Sequence, residues 1–340
     1  PSTKTISFPE ITGSYAVGTT SYYWKNDETN REIMVQLWYP TNVKLQLNNR
    51  TKYQGLSEDQ LEGHVIYTRA ITQASLSSAQ KKYPIVIFSH GIGMSRFLYS
   101  AFCEELASHG YIIVGIDHPY LANIIRLPDG RMINFSIKTD DQKHEAIGNE
   151  IGDVRFVLNQ LEKLNQDKGS IFFQHLDEKH IGMFGHSFGG LVTTNICQQD
   201  DRVIAGINMA GPLYEQDKVT PFNKPFMMMW GEKELEEVKK DDDIEHRKAV
   251  IDNVQNLFDA LKKDKYRITI ENADHNVFSD YTWLKESSIF KNDNNDLDTT
   301  PLDGYKMTRM MNYYIAWFFD KYLKNKDSKM PEYSGIKIER

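Results

Sequence analysis

The chain has 340 residues, 40% of them apolar, which suffices for one large α/β domain or two smaller ones and is too apolar for a disordered polymer. A formal net charge of −7, with no basic run, gives nucleic acid no electrostatic footing. The longest apolar stretches, such as residues 226–230, are far too short to span a bilayer, so a soluble protein is expected.

The sequence opens at Pro1 without a charged-then-apolar leader. That fits a secreted or periplasmic protein after processing and equally a trimmed fragment, so a cytoplasmic location stays open. Residues 15–24 and 32–39 are rich in aromatic and β-branched side chains and flank the polar turn Asn26-Asp-Glu-Thr-Asn30, which predicts an antiparallel hairpin. Residues 40–82 read as polar connection with one short helix. Residues 83–89 form a continuous apolar run, as in a strand buried on both faces of a parallel sheet, and end in His90-Gly-Ile-Gly93. A helix over 96–109, stopped at Gly110, and a second buried strand over 111–116 closing in Asp117-His-Pro119 make a βαβ unit.

Further along, Ile147, Ile151, Val154, Leu158 and Leu161 form one apolar stripe, predicting a helix over 142–164. Strand 181–184, helix 189–198, strand 202–209, strand 225–230, helix 249–262 and strand 266–270 continue the alternation. The aromatic-rich helix 304–323 reads as packing on the sheet. The low-complexity stretches 232–243 and 291–298 read as solvated loops or lid edges. The two cysteines, Cys103 and Cys197, are too few for a disulfide framework or a thiolate metal site. They fall on helices expected on opposite faces of the sheet, as buried free thiols. The alternation implies a doubly wound, mostly parallel sheet whose chemistry sits beyond the carboxyl ends of its strands. There the sequence places His90, Asp117, Ser187, Glu234 and His275.

Gly185-x-Ser187-x-Gly189, between an apolar strand and a helix, has the nucleophile-elbow spacing, in which small neighbours let a strained turn hold the serine out toward a substrate. The three positions alone recur by chance in roughly one chain of this length in ten, so context carries the reading. Serine needs a base, and His275 stands downstream of it after the last core strand, in the order Ser, acid, His. The developing oxyanion needs backbone donors. The Phe188 amide follows the nucleophile, and the Ile92 amide lies in the loop after strand 83–89. His186 is read as supporting the turn and His90 as bonding its loop, while Asp117 and His118 shape the pocket mouth.

Tyr83-Pro-Ile-Val-Ile-Phe-Ser-His-Gly-Ile-Gly93, Leu98-Tyr-Ser-Ala101, Leu106-Ala-Ser-His-Gly-Tyr111, Ile181-Gly-Met-Phe-Gly-His-Ser-Phe-Gly-Gly190, Asp274-His-Asn276 and the hairpin from Gly13 to Pro40 resemble the platelet-activating factor acetylhydrolase family, the plasma/type II group of α/β-hydrolases, in a bacterial-type relative. The resemblance runs from about residue 10 to 325. It implies an α/β-hydrolase fold in one domain: an N-terminal hairpin and connection over 1–82, a catalytic core over 83–325 and a tail over 326–340. It also implies a serine esterase without metal or cofactor, acting on short or oxidised acyl esters of phospholipids. Such relatives shade into general carboxylesterases and polyester hydrolases, and a small-molecule or lipid ester is the expected partner. Ser187, His275 and the amides of Ile92 and Phe188 carry over.

The family's acid does not, because Ala210 stands at its position. Three arrangements are open: the acid moved one strand on to Glu234 in Gly231-Glu-Lys-Glu234, a loss that leaves an impaired enzyme or a non-catalytic scaffold, or replacement by Glu232 or Asp274. For contact with a lipid surface, residues 277–283 or Phe97-Leu98-Tyr99 are the candidate patch, but an ordinary partly buried aromatic cluster is the preferred reading of both stretches. Nothing in the sequence fixes the oligomeric state.

Overall fold

In the computed structural model, which describes residues 6–217, 219–287 and 303–340, the elements follow the chain in this order. The hairpin is β1 (Ala16–Asn26) and β2 (Arg31–Thr41), in register from Ala16 opposite Thr41 to Asn26 opposite Arg31. The segment read as connection contains β3 (Arg50–Lys52), α1 (Glu58–Leu61) and β4 (Tyr67–Thr72). Then come β5 (Tyr83–Ser89), α2 (Ser100–Ser108) after one 3-10 turn, β6 (Ile112–Asp117), and a small separate hairpin of β7 (Ile124–Arg126) and β8 (Met132–Asn134). Helix α3 (Asp140–Gln166) precedes β9 (Leu176–His186), α4 (Phe188–Gln199) and β10 (Val203–Met209). β11 (Phe226–Gly231), α5 (Glu232–Val238), α6 (Ile244–Val250), α7 (Asp252–Ala260) and β12 (Lys265–Ile270) follow, and α8 (Tyr281–Leu284), α9 (Gly304–Lys324) and β13 (Ile336–Glu339) close the chain.

Among the described residues, eleven strands form one sheet in the order β13-β12-β11-β10-β9-β5-β6-β2-β1-β4-β3. The six from β12 to β6 run parallel, and β13 and β2 flank them antiparallel. β5 has β6 on one side and β9 on the other, so the winding reverses at β5. A crevice therefore opens beyond the carboxyl ends of β5 and β9. Helices α2 and α9 cover one face, and α3 and α4 the other. On β9 the alternation shows directly: a Cβ on Gly182 would meet Phe319 of α9, while one on Gly185 would meet Thr193 of α4. Cys103 and Cys197, on opposite layers, are both buried and unpaired.

The differences from the sequence reading have local causes. Helix α3 starts two residues early because Thr139 and Gln142 form a capping box. Stretch 232–243, expected as loop, begins with helix α5, whose first-turn amides of Lys233 and Glu234 both donate to the Ala273 carbonyl. The expected helix 249–262 is two, broken at Ile251 after an Asp243 cap on His246 N–H. The tail is not loose, because β13 pairs with β12 from Ile336 opposite Ile270 to Glu339 opposite Arg267. Stretch 291–298 lies outside the described residues.

Candidate active site

Between β9 and α4, Ser187 has φ 54° and ψ −120°, a conformation that costs a non-glycine residue about 1–3 kcal/mol. The turn tolerates no bulk around it. A Cβ on Gly189 would stand 2.0 Å from the Ser89 carbonyl oxygen, so the elbow is pressed against the end of β5. The Ser187 N–H donates to the Met209 carbonyl at 2.8 Å, which fixes the turn to β10 as well. Among residues 181–190 Ser187 alone is not buried. The sequence thus puts a strained serine hydroxyl at the crevice and buries the residues on either side of it.

His275 begins a short 3-10 turn after β12, and its Nδ1 lies 2.7 Å from Glu234 Oε1. A carboxylate can only accept, so Nδ1 carries the proton and Nε2 keeps its lone pair, the form a general base needs. Gly231 sets this meeting. A Cβ there would lie 2.4 Å from the Ala273 oxygen, so only glycine lets the start of α5 close on the histidine loop. Burial disfavours charging the His275 ring, but the Glu234 carboxylate outweighs it and holds His275 above the ordinary histidine value. His275 is joined to the elbow too: the His186 ring lies 4.6 Å from its ring, and His186 Nε2 donates to its carbonyl at 3.0 Å.

The other carboxylates are engaged elsewhere. Glu232 takes the Lys337 ammonium at 2.6 Å and the Asn272 N–H at 3.3 Å. Asp274 caps the 3-10 turn through the Asn276 N–H at 2.9 Å. Ala210 is buried with φ 54°, and its N–H donates to Met229.

The loop after β5 approaches the serine closely, since a Cβ on Gly91 would lie 3.3 Å from Ser187 Cβ. His90 Nδ1 donates to the Gly91 carbonyl at 2.7 Å and its Nε2 accepts the His118 N–H at 3.2 Å. Burial pushes the His90 ring down to about 4, so it stays neutral in that role. The Gly91 carbonyl and the Ile92 N–H belong to one planar trans peptide and point in opposite directions. Holding the carbonyl therefore aims the amide. Among the described residues neither the Ile92 nor the Phe188 amide meets an acceptor.

A second Ser–His–Asp arrangement stands behind this loop. His118 Nε2 is 2.8 Å from Ser89 Oγ, and its Nδ1 is 2.9 Å from Asp153 Oδ2. All three residues are buried, and Asp153 is held by both Nε and Nη2 of Arg31 at 2.6 and 2.7 Å. Glu150 is buried close by, its carboxyl driven well above the usual range by burial and then by Asp153. No substrate reaches this set, so access rather than bond geometry singles out Ser187. Asp117, expected at the pocket mouth with His118, is buried and grips both the main-chain N–H and the guanidinium of Arg96.

Residues 277–283 and 97–99 form the packed aromatic cluster preferred for them, not an exposed lipid patch. Val277, Phe278, Trp283, Leu98 and Tyr99 are buried, Trp283 against Phe8 and Tyr53 with ring centroids 5.3 and 5.5 Å apart. Exposed apolar side chains stand instead on the segment around β7 and β8, at Tyr120, Ile124, Met132 and Phe135. That segment is bonded to the loop beside Ser187 through Gly93 N–H to Leu121 O and Asn123 N–H to Met94 O, both 2.9 Å. Periodicity cannot find so short a hairpin, and its residues were missed. Tyr99 and Asp280 fall within the stretches considered for the lipid patch, and their buried polar contacts have no local signal in the sequence. Asp280 ties the histidine loop to α2 by accepting the Ser100 and Ala101 N–H groups at 3.0 and 3.2 Å, contacts between residues 180 and 179 positions apart.

A strained serine over the switch point of a mostly parallel sheet, beside a glycine loop and a histidine loop, defines an α/β-hydrolase. The profile of the family described as platelet-activating factor acetylhydrolase, isoform II, matches residues 1–123 and 149–332, and the chain belongs to that family of carboxylic ester hydrolases. The platelet-activating factor acetylhydrolase of Canis lupus familiaris is 26% identical over 325 residues, which cover 81% of this chain and 68% of that one. Its counterpart in Cavia porcellus is 28% identical over 244 residues, 59% of this chain and 54% of its own, so the match spans about half of that relative. A probable 1-alkyl-2-acetylglycerophosphocholine esterase of Arthroderma benhamiae is 32% identical over 134 residues, 38% of this chain and 32% of its own. Among solved structures, a ferulic acid esterase from Streptomyces cinnamoneus superposes with a TM-score of 0.79 over 98% of this chain and 99% of its own at 23% identity, a likeness of fold.

Proposed function

We propose that the chain is a serine carboxylic ester hydrolase working through an acyl-enzyme on Ser187. In this reading Ser187 Oγ attacks the ester carbonyl as its proton passes to His275 Nε2. The tetrahedral oxygen is held by the Ile92 and Phe188 amides, each such donor being worth about 2.7–4 kcal/mol. Collapse expels the alcohol, which takes the proton from His275. Water, deprotonated by His275, then attacks the acyl-serine, and the acid leaves as the proton returns to Oγ. Glu234 keeps Nδ1 protonated and stabilises the imidazolium. The observation that carries this reading is the 2.7 Å bond from His275 Nδ1 to Glu234 Oε1 at a strained, accessible serine. It also favours an enzyme over a non-catalytic scaffold, since a carboxylate stands behind the histidine although Ala210 does not supply one.

The substrates we propose are esters with short or oxidised acyl chains, phospholipids included, for which the family and the printed names of the relatives are the support. Tyr120, Ile124, Met132 and Phe135, next to the oxyanion loop, are the surface such a lipid ester or its bilayer would meet. The test is labelling with a fluorophosphonate. It should mark Ser187 alone, and Ser187→Ala should abolish hydrolysis of p-nitrophenyl acetate; an unlabelled Ser187, or undiminished hydrolysis, overturns the mechanism. Rates on short-chain phospholipid against polyester film decide the substrate class, and faster turnover of the film overturns the phospholipid reading.

A further inference from the structure

We propose that Tyr99 is a positioning residue that acts through His186 to lock the loop offering the Ile92 amide to the loop carrying His275. The proposal rests on the Ser187 mechanism above. Tyr99 ends the 3-10 turn Arg96–Tyr99 that leads into α2, is fully buried, and packs its ring on Phe88 with centroids 4.4 Å apart. Its hydroxyl accepts the Gly91 N–H at 3.2 Å and stands 2.8 Å from His186 Nδ1.

The direction of every proton in this relay follows from the acceptors. The His275 carbonyl can only accept, so His186 Nε2 carries hydrogen and bonds it at 3.0 Å. Burial, and then the neighbouring His275 ring, hold His186 well below the usual histidine range, so it has one proton and Nδ1 is bare. Nδ1 must therefore receive the Tyr99 hydroxyl hydrogen. Met94 Sδ, 2.9 Å from the same oxygen, is the weaker and unused acceptor. The bonds run Gly91 N–H to Tyr99 Oη, Tyr99 O–H to His186 Nδ1, and His186 Nε2–H to the His275 carbonyl.

Such a relay does something packing alone does not. Gly91 is held at its N–H by Tyr99 and at its carbonyl by His90, so the peptide that presents the Ile92 amide has no remaining freedom to turn. The far end grips the backbone of His275 itself, leaving its ring to Glu234. His186, beside Ser187 in the chain, sits in the middle. Oxyanion donor, nucleophile and base are thereby placed by one chain of three hydrogen bonds. Positioning of this kind is felt in turnover, because a displacement of about 1 Å at reacting groups can cost about a hundredfold.

The test is Tyr99→Phe, which removes one oxygen and keeps the ring. We expect kcat on p-nitrophenyl acetate to fall roughly 10- to 100-fold with KM within about twofold. In a cycle with His186→Asn the double variant should be no slower than the worse single, since either change breaks the same relay. Loss of kcat by less than about twofold, or losses that multiply in the double variant, overturns the proposal. A readout that needs no variant is the ¹⁵N spectrum of the histidine rings of the intact protein. It should show His186 protonated at Nε2 and bare at Nδ1 across neutral pH, and a proton on Nδ1 overturns the proposal. If the wild-type protein leaves Ser187 unlabelled by fluorophosphonate, it is the underlying mechanism that fails; labelled wild type with an unimpaired Tyr99→Phe sinks only the relay.

Discussion

In the proposed mechanism Glu234 supplies the carboxylate that the family pattern carries at position 210, where this chain has alanine, and the two positions can be tested separately. Because the Glu234 carboxylate raises His275, the proposed base should be protonated, and activity should be lost, as pH falls through a value above the ordinary 6.5 or so. Glu234→Gln removes the charge and keeps the shape. Its kcat should drop by roughly three to four orders of magnitude, and the acid limb of its kcat/KM profile should move to lower pH; a limb that stays in place shows that another group sets it. Ala210→Asp should bring no gain in kcat. Its left-handed backbone suits aspartate better than alanine, but the site is 1% exposed, and a buried charge without a partner should lower Tm. The spacing of serine and histidine was readable in the sequence because it follows chain order. The acid was readable only as a preference for Glu234 by its Gly-x-x-acid position, because Glu232, Glu234 and Asp274 are otherwise distinguished only by where they point. Lys337 on β13 draws Glu232 away, a contact between residues 105 positions apart that no local pattern signals.

At the level of elements, the site depends on α5 closing on the loop after β12, and that closure is set by Gly231. With φ −83° the residue needs no special backbone freedom, so its role is to leave space. Gly231→Ala puts a methyl 2.4 Å from the Ala273 oxygen and must push α5 or the loop aside. We expect a loss of about 1–3 kcal/mol in urea unfolding and a fall in kcat with the same acid-limb shift as Glu234→Gln. An unchanged pH profile in a destabilised protein would separate packing from positioning. Buried parallel strands such as β5 and β9 announced themselves by continuous apolar runs, and α3 by its stripe. The short strands β3, β4, β7, β8 and β13 did not. They have three to six residues each, several with exposed polar side chains, and are strands only because a partner's backbone lies alongside.

Across the whole molecule, the N-terminal segment and the core meet at a set of buried acids, and these decide how stability varies with pH. Glu104 of α2 is fully buried, accepts the Arg69 N–H at 2.8 Å, and is pushed up to about 8, first by burial and then in part by Asp280. Asp280, which takes the Tyr53 hydroxyl at 2.9 Å, is pushed up to about 7, again chiefly by burial. Each therefore keeps, when folded, a proton that the unfolded chain gives up near pH 4 to 5, so stability falls as pH rises toward these values. His275, raised by Glu234, adds in the same direction, since its contribution is lost as pH rises through its folded value. The depressed His90 and His186 act oppositely, but only below the ordinary histidine range. Lys324, lowered to about 8 by burial, opposes the trend only above that value. A window from about pH 6.5 to 8 is thus left in which every buried group named here that still titrates favours the lower pH. Tm should decline across it. Glu104→Gln keeps an oxygen for the Arg69 N–H and cannot ionise, so its Tm should decline less steeply and exceed wild type at pH 8. Parallel curves for the two proteins would mean that Glu104 is already ionised in the fold and that the acids at this junction do not govern the pH response.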